Sequence, residues 1–245
     1  MKQTKLIMGM PISVEIVDPR AQQKDLGEIF AFFRKVDRQF SPFRKESEVS
    51  KINRGEVLES DYSPEMKEIL KLAEKTKNST NGYFDIHRNG KVDPSGVVKG
   101  WAIANAAKLV DRKKFKNYYI NAGGDIQVRG KNSLGRFWRV GIENPFNRRE
   151  IVKILELRDS AIATSGSYIR GEHIYNPKGE IYKKVVSLSV LAADILKADL
   201  LATAAFAMGE KGIDFIEKTL GVEGYQIGQD GFATKTSRFN NYLPK

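Results

Sequence analysis

Tyr118-Tyr119-Ile120-Asn121-Ala122-Gly123-Gly124-Asp125-Ile126-Gln127-Val128 reads as two short strands joined by a paired-glycine turn. Aromatic and β-branched residues fill both arms, and adjacent glycines supply the backbone freedom that a tight reversal needs. The flanking sequence repeats this pattern. Residues 138–143, 151–157 and 161–164 read as further strands, 187–191 as a buried strand, and 12–17 alternates apolar and polar as a half-buried one.

Helices are interleaved with these strands. Leu26, Ile29, Phe30, Phe33, Val36 and Phe40 recur at helical spacing after Asp18-Pro19, which predicts a helix over 21–40. Ser63-Pro64 opens a second helix that stops before Asn81-Gly82, and 99–110, 194–208 and 213–220 read as three more. The polar stretch 41–53 is expected to be a loop with a short turn, and 82–95 to be irregular. Hairpin-like pairs outnumber clean βαβ units, so the expected class is α+β, with a mostly antiparallel sheet packed with helices. No low-complexity linker or short repeat divides the 245 residues, and 1–245 is expected to form a single domain.

Composition removes much chemistry. With 41% hydrophobic and 29% charged residues the chain is an ordinary globular one, not a disordered or fibrous one. The absence of cysteine excludes disulfide frameworks, zinc ribbons, iron–sulfur clusters and thiol nucleophiles. Only His87 and His173 are present, too few for a multi-histidine metal site. Neither GxGxxG nor GK[ST] occurs, so Rossmann and Walker chemistry are unsupported. Lys and Arg exceed Asp and Glu by 41 to 30, a formal charge of +11. This excess is dispersed, densest at Arg112-Lys113-Lys114 with Lys116 and at Arg148-Arg149, with no RNA-recognition or helix-turn-helix signature. No nucleic-acid partner is expected.

The basic start runs into Met8-Gly9-Met10-Pro11 with no small-residue cleavage site, and 187–208 carries Asp194, Lys197 and Asp199, a poor spanning segment. A cytoplasmic location is expected if the chain is full length, and a periplasmic or other extracytoplasmic one if an export signal has been removed.

Asp199 and Thr203, four residues apart on a helix, project together as two hard oxygen ligands among Leu200, Leu201, Ala204, Ala205 and Phe206. A carboxylate on so apolar a helix is costly unless a cation or hydrogen bonds compensate it. Oxygen-only ligation suits Mg²⁺ or Ca²⁺. A salt bridge or cap by Asp199, with Thr203 bonded to a helix carbonyl, is the plainer alternative. The Gly123-Gly124 turn admits a close ligand or is simply a hairpin. Thr164-Ser165-Gly166 offers hydroxyls for phosphate or a polar turn. Asp93-Pro94-Ser95-Gly96-Val97-Val98-Lys99-Gly100 is a turn entering a helix whose first amides favour anions, and His173-Ile174-Tyr175-Asn176-Pro177 places a histidine before a turn.

Taken in order, these segments resemble the ApbE family of FAD:protein FMN transferases. The series is Met8-Gly9-Met10, Ser41-Pro42-Phe43 with Ser47 to Asn53, Gly82-Tyr83-Phe84-Asp85-Ile86 and Gly96-Val97-Val98-Lys99-Gly100. Asn121 to Asp125, Ala163-Thr164-Ser165-Gly166, His173-Ile174 and Ala198-Asp199 to Thr203 complete it. The resemblance implies an α+β fold related to the T-fold. It implies Mg²⁺, with Mn²⁺ or Ca²⁺ as alternatives, and FAD as substrate: the pyrophosphate is cleaved, FMN is attached by a phosphoester to a threonine or serine of an acceptor flavoprotein, and AMP is released. FAD pyrophosphatase activity, or flavin binding with impaired catalysis, are the alternatives. Carried over by motif, Gly96 (through its carbonyl), Asp199 and Thr203 would hold the metal. Met8, Phe43, Tyr83, Phe84, Asp85, Asp93, Lys99 and His173 would line the FAD site, with Lys99 and His173 as catalytic candidates. Membrane contact is expected only through the acceptor. The sequence departs from the family pattern at Met10, where threonine is usual, and at Ala104, Asn176 and Ala202, where acids are usual or common. Asp199 is accordingly expected to be the lone carboxylate at the metal.

Overall fold

A computed structural model describes residues 1–167 and 184–244. Its centre is an open eight-stranded sheet in the order β1-β2-β5-β6-β9-β10-β11-β12, antiparallel at every pairing. The strands are β1 (Lys2–Ile7), β2 (Met10–Ile16), β5 (Tyr118–Ala122), β6 (Asp125–Arg129), β9 (Ala161–Gly166), β10 (Val185–Ala192), β11 (Val222–Gly228) and β12 (Ala233–Lys235). Two short ladders stand apart, β3 (His87–Arg88) with β4 (Lys91–Val92) and β7 (Trp138–Glu143) with β8 (Ile151–Leu157). The helices are α1 (Gln23–Phe40), α2 (Glu48–Asn53), α3 (Pro64–Ser79), α4 (Ser95–Arg112), α5 (Ile195–Ala207) and α6 (Gly212–Lys218).

Strand alternation separates two cores. Ile12, Val14 and Ile16 of β2, Ile120 of β5 and Leu188 and Val190 of β10 face the helices, where Ile29, Phe30 and Phe33 of α1 and Ile103 and Ala106 of α4 meet them. The opposite parity, Ile126 and Val128 of β6 and Leu191 of β10, packs with Val140, Leu155 and Leu157 of the β7–β8 hairpin and with Phe239 near the C-terminus. The sheet is thus buried on both sides, as the continuous apolar runs of its central strands require.

Three local differences from the sequence reading matter. β1 is an edge strand with polar residues at four successive positions, Lys2 to Lys5, and an exposed Leu6, so it carries little periodic signal. Residues 48–53 form a helix capped by the Ser47 hydroxyl, although Val49 is its only buried side chain. Helix α4 begins at Ser95, a turn earlier than the periodicity indicates, which puts Gly96 on the helix rather than before it and Lys99 inside it rather than at its start.

Candidate active site

The site is built where α4 and α5 run antiparallel and in close contact. A Cβ placed on Gly96 would stand 3.8 Å from Thr203 Cγ2, while one on Gly100 would stand 2.9 Å from Asp199 Cβ and 3.2 Å from Leu196 Cα. Each turn forward along α4 therefore meets a turn backward along α5. Gly100 removes the side-chain bulk that ordinarily keeps helices apart. The motif residues Gly96, Thr203, Gly100 and Asp199, distant in sequence, are brought together by this pairing.

Asp199 is 3% exposed. Its Oδ2 accepts the Gly100 backbone N–H at 2.8 Å, and Lys99 Nζ lies 3.5 Å from its Oδ1. In a regular helix the Gly100 N–H belongs to the Gly96 carbonyl one turn earlier. Asp199 competes for that donor and leaves the Gly96 oxygen capacity for another partner. Burial pushes the Asp199 carboxyl up to about 7, with Asp125 adding to the rise while Lys99 and the Gly100 amide oppose it.

Asp125 is the residue that sequence reasoning left out of the site. It opens β6 directly after the Gly123-Gly124 turn, is 1% exposed, and receives the Thr164 backbone N–H on Oδ1 at 3.2 Å. Its Oδ2 lies 2.7 Å from Lys99 Nζ. This is charge contact without hydrogen-bond alignment, since Oδ2 is sealed from solvent and has no aligned donor among the described residues. Two carboxyls, Asp125 and Asp199, thus share one ammonium. The available signal was an acid heading a strand that is otherwise buried. Gly123 holds this turn against Met10, whose Sδ would be 2.9 Å from an added Cβ.

The other expected residues fall into two groups. Phe84 is buried, its ring 3.4 Å from a Cβ position on Gly96, so it lies beneath the first turn of α4. Tyr83 is half-buried against the helix-side core. Asp93 stands at the mouth of α4, where its Oδ1 accepts the Ser95 N–H at 3.1 Å and the Ser95 hydroxyl at 2.5 Å. Met8 and Gly9 form the β1–β2 turn with φ of 56° and 70°, a conformation that glycine tolerates and methionine rarely adopts. Phe43 is 95% exposed. Asp85 turns instead toward Lys77 Nζ at 2.8 Å and His87 Nδ1 at 3.1 Å. Burial opposes its ionisation, but bonds from Lys77 and His87 outweigh this and hold its carboxyl below the usual range. His173 and Asn176 lie outside the described residues.

The walls are tied together by Asn53. Its carboxamide receives the Val92 N–H at 2.7 Å and donates to the Val92 carbonyl at 2.8 Å, copying one rung of a sheet. This joins α2, which follows the Phe43 loop, to the strand entering α4.

Taken together, α4 and α5 set the Gly96 backbone beside Thr203 and Gly100 against Asp199, with Lys99 and Asp125 alongside. No cluster of three or more His, Cys, Asp or Glu suited to a metal occurs among the described residues, so zinc-type ligation has no support there.

Comparison with known proteins gives the chain a family and a fold. A family model described as the ApbE family matches residues 8–89 and 86–225. A Vibrio cholerae protein named FAD:protein FMN transferase is 37% identical over 49% of this chain and 39% of its own length. A Haemophilus influenzae protein of the same name is 32% identical over 60% of this chain and 46% of its own length. The chain thus spans less than half the length of these two curated relatives. A Chlamydia muridarum relative of that name is 25% identical, with 87% and 84% covered. Among solved structures, the flavin transferase ApbE of Vibrio cholerae superposes with a TM-score of 0.86 at 26% identity, over 99% of both chains. The ApbE protein of Thermotoga maritima, at 22% identity and a TM-score of 0.87 over 100% and 99% of the two chains, shares the fold.

Proposed function

The chain belongs to the ApbE family, and from that premise we propose that it is a Mg²⁺-dependent FAD:protein FMN transferase acting as a single domain. The observation that carries the reading is the α4–α5 contact, which sets Gly96 beside Thr203 and Gly100 against Asp199, with Lys99 alongside. In the proposed reaction a threonine or serine hydroxyl of an acceptor flavoprotein attacks the FMN phosphorus of FAD. The new P–O bond replaces the pyrophosphate P–O bond, the hydroxyl proton is lost, and AMP leaves.

The residues present fit a hard divalent cation. Asp199 supplies the charge, the Thr203 hydroxyl a second oxygen, and the Gly96 carbonyl, whose customary donor is drawn to Asp199, a third. A cation bound there neutralises charge that builds on phosphate oxygens during phosphoryl transfer. Lys99 adds a second positive charge, and its position between two buried carboxyls fixes where that charge lies. Met8, Phe43, Tyr83, Phe84 and Asp93 line the flavin nucleotide. Asp85 braces the 83–86 segment through Lys77 and so supports the same wall. His173 is assigned to the flavin site by its motif, and after that as the base for the incoming hydroxyl. The acceptor carries any membrane contact; among the described residues no helix is long and apolar enough to cross a membrane.

The test is AMP release from FAD in Mg²⁺ or in EDTA, by the wild type and by Asp199→Ala. The reading expects release that Mg²⁺ supports, EDTA stops and the variant lacks. Equal release by a folded Asp199→Ala variant would remove the α4–α5 contact from the chemistry.

A further inference from the structure

Resting on that reading of the metal site, we infer that Asp125 is a positioning residue that holds Lys99 away from Asp199 and so keeps Asp199 open to a divalent cation. Lys99 is itself a cation, carried on the same helix as Gly96 and within reach of the carboxylate proposed for the metal. It sits 2.7 Å from Asp125 Oδ2 but 3.5 Å from Asp199 Oδ1, so its closer partner is Asp125. A shift of less than an ångström would make Asp199 the closer one.

Asp125 is placed to resist that shift. It is the first residue of β6 and pairs across the hairpin with Ala122. Its other oxygen accepts the Thr164 N–H from β9, and the turn before it is seated on Met10. Three elements therefore fix the carboxylate that holds the ammonium. The charge count makes the same point. With Asp125 absent, Lys99 and the buried Asp199 would form a neutral pair where a neighbouring charge acts more strongly than in water, and an incoming cation would have to displace the ammonium. With Asp125 present, two carboxylates face one ammonium and a negative charge remains for the metal. Lys99 is thus an internal competitor of the cation, and Asp125 the group that restrains it.

The experiment is titration of the full chain with Mn²⁺ alone, free ion counted by electron paramagnetic resonance, with melting curves confirming that each variant is folded. Asp125→Asn should weaken Mn²⁺ binding by about tenfold, the effect of one short-range charge in a partly screened interior. Lys99→Met should bind Mn²⁺ at least as tightly as the wild type, although it loses turnover. Lys99→Met/Asp125→Asn should recover most of the affinity lost by Asp125→Asn. Weaker binding by Lys99→Met would overturn the inference, as would an unchanged Asp125→Asn. A double variant as weak as Asp125→Asn would make Asp125 a ligand and overturn it too. If the wild type itself takes up no Mn²⁺, the metal reading falls and this inference with it. Wild-type uptake unaffected by Asp125→Asn would sink the inference alone.

Discussion

Gly100→Ala is the most direct perturbation of the helix contact on which the site depends. The added methyl would stand 2.9 Å from Asp199 Cβ, 3.0 Å from its Oδ2 and 3.2 Å from Leu196 Cα. A backbone atom is among these neighbours, so rotating one side chain cannot relieve the clash, and α5 must move outward. Overpacking on this scale costs about 1–3 kcal/mol. Alanine's better helix propensity offsets about 0.5–1 kcal/mol of this. A net loss of about 1–2 kcal/mol is therefore expected, which for a chain of this size lowers the melting temperature by about 2–4 °C per kcal/mol. The displacement also moves the Asp199 carboxylate off the Gly100 amide, and misplacement by about 1 Å near reacting groups can cost about a hundredfold in rate. Gly96→Ala is the matched control. Its methyl meets Phe84 at 3.4 Å and Thr203 at 3.8 Å, ordinary contact distances, so stability should stay within about 0.5 kcal/mol of wild type. Thermal unfolding and AMP release measured on both variants decide the matter. A Gly100→Ala protein as stable and as active as the wild type would refute the close α4–α5 packing.

Other outcomes follow from individual contacts. Asp199 in the metal-free fold has its carboxyl raised to about 7 from an ordinary 3.8, so its contribution to stability is complete below its unfolded value and lost as pH rises through about 7. Asp199→Asn should therefore gain more stability relative to wild type at pH 8 than at pH 5 when unfolding is followed in EDTA; the same difference at both pH values would contradict this. Metal uptake should in turn release a proton below pH 7, so Mg²⁺ affinity measured by calorimetry should fall as pH drops from 8 to 6 in the wild type. Asn53→Ala removes both bonds to Val92, at 2.7 and 2.8 Å. It should destabilise the fold by about 1–3 kcal/mol, speed hydrogen exchange of the Val92 amide and raise KM for FAD more than it lowers kcat. A Val92 amide that exchanges as slowly as in wild type would remove Asn53 as the tie.

Some of this was readable from local chemistry, and some was not. The long amphipathic α1 announces itself because its Leu, Ile and Phe positions recur with the helical period and all become buried. The paired glycines at 123 and 124 both adopt positive φ, as the hairpin reading of 118–128 requires. The first turn of α4 was hidden because Gly96 and Pro94 resemble loop residues locally. The reason for glycine at Gly100 is tertiary, namely the approach of α5. Asp125 escaped for a similar cause. Its meaning depends on Lys99 and Asp199, which only the folded chain brings beside it. The Asp199–Thr203 spacing showed that two oxygens share a helix face, but not that α4 faces them with glycines.

The central claim is transfer of FMN to protein rather than to water. It is tested most directly by the intact mass of an acceptor flavoprotein domain incubated with this chain, FAD and Mg²⁺, with AMP counted in the same reaction. The account predicts an acceptor that gains one FMN at its threonine or serine for each AMP released, and no gain in EDTA. AMP and free FMN accumulating with no acceptor adduct would contradict it.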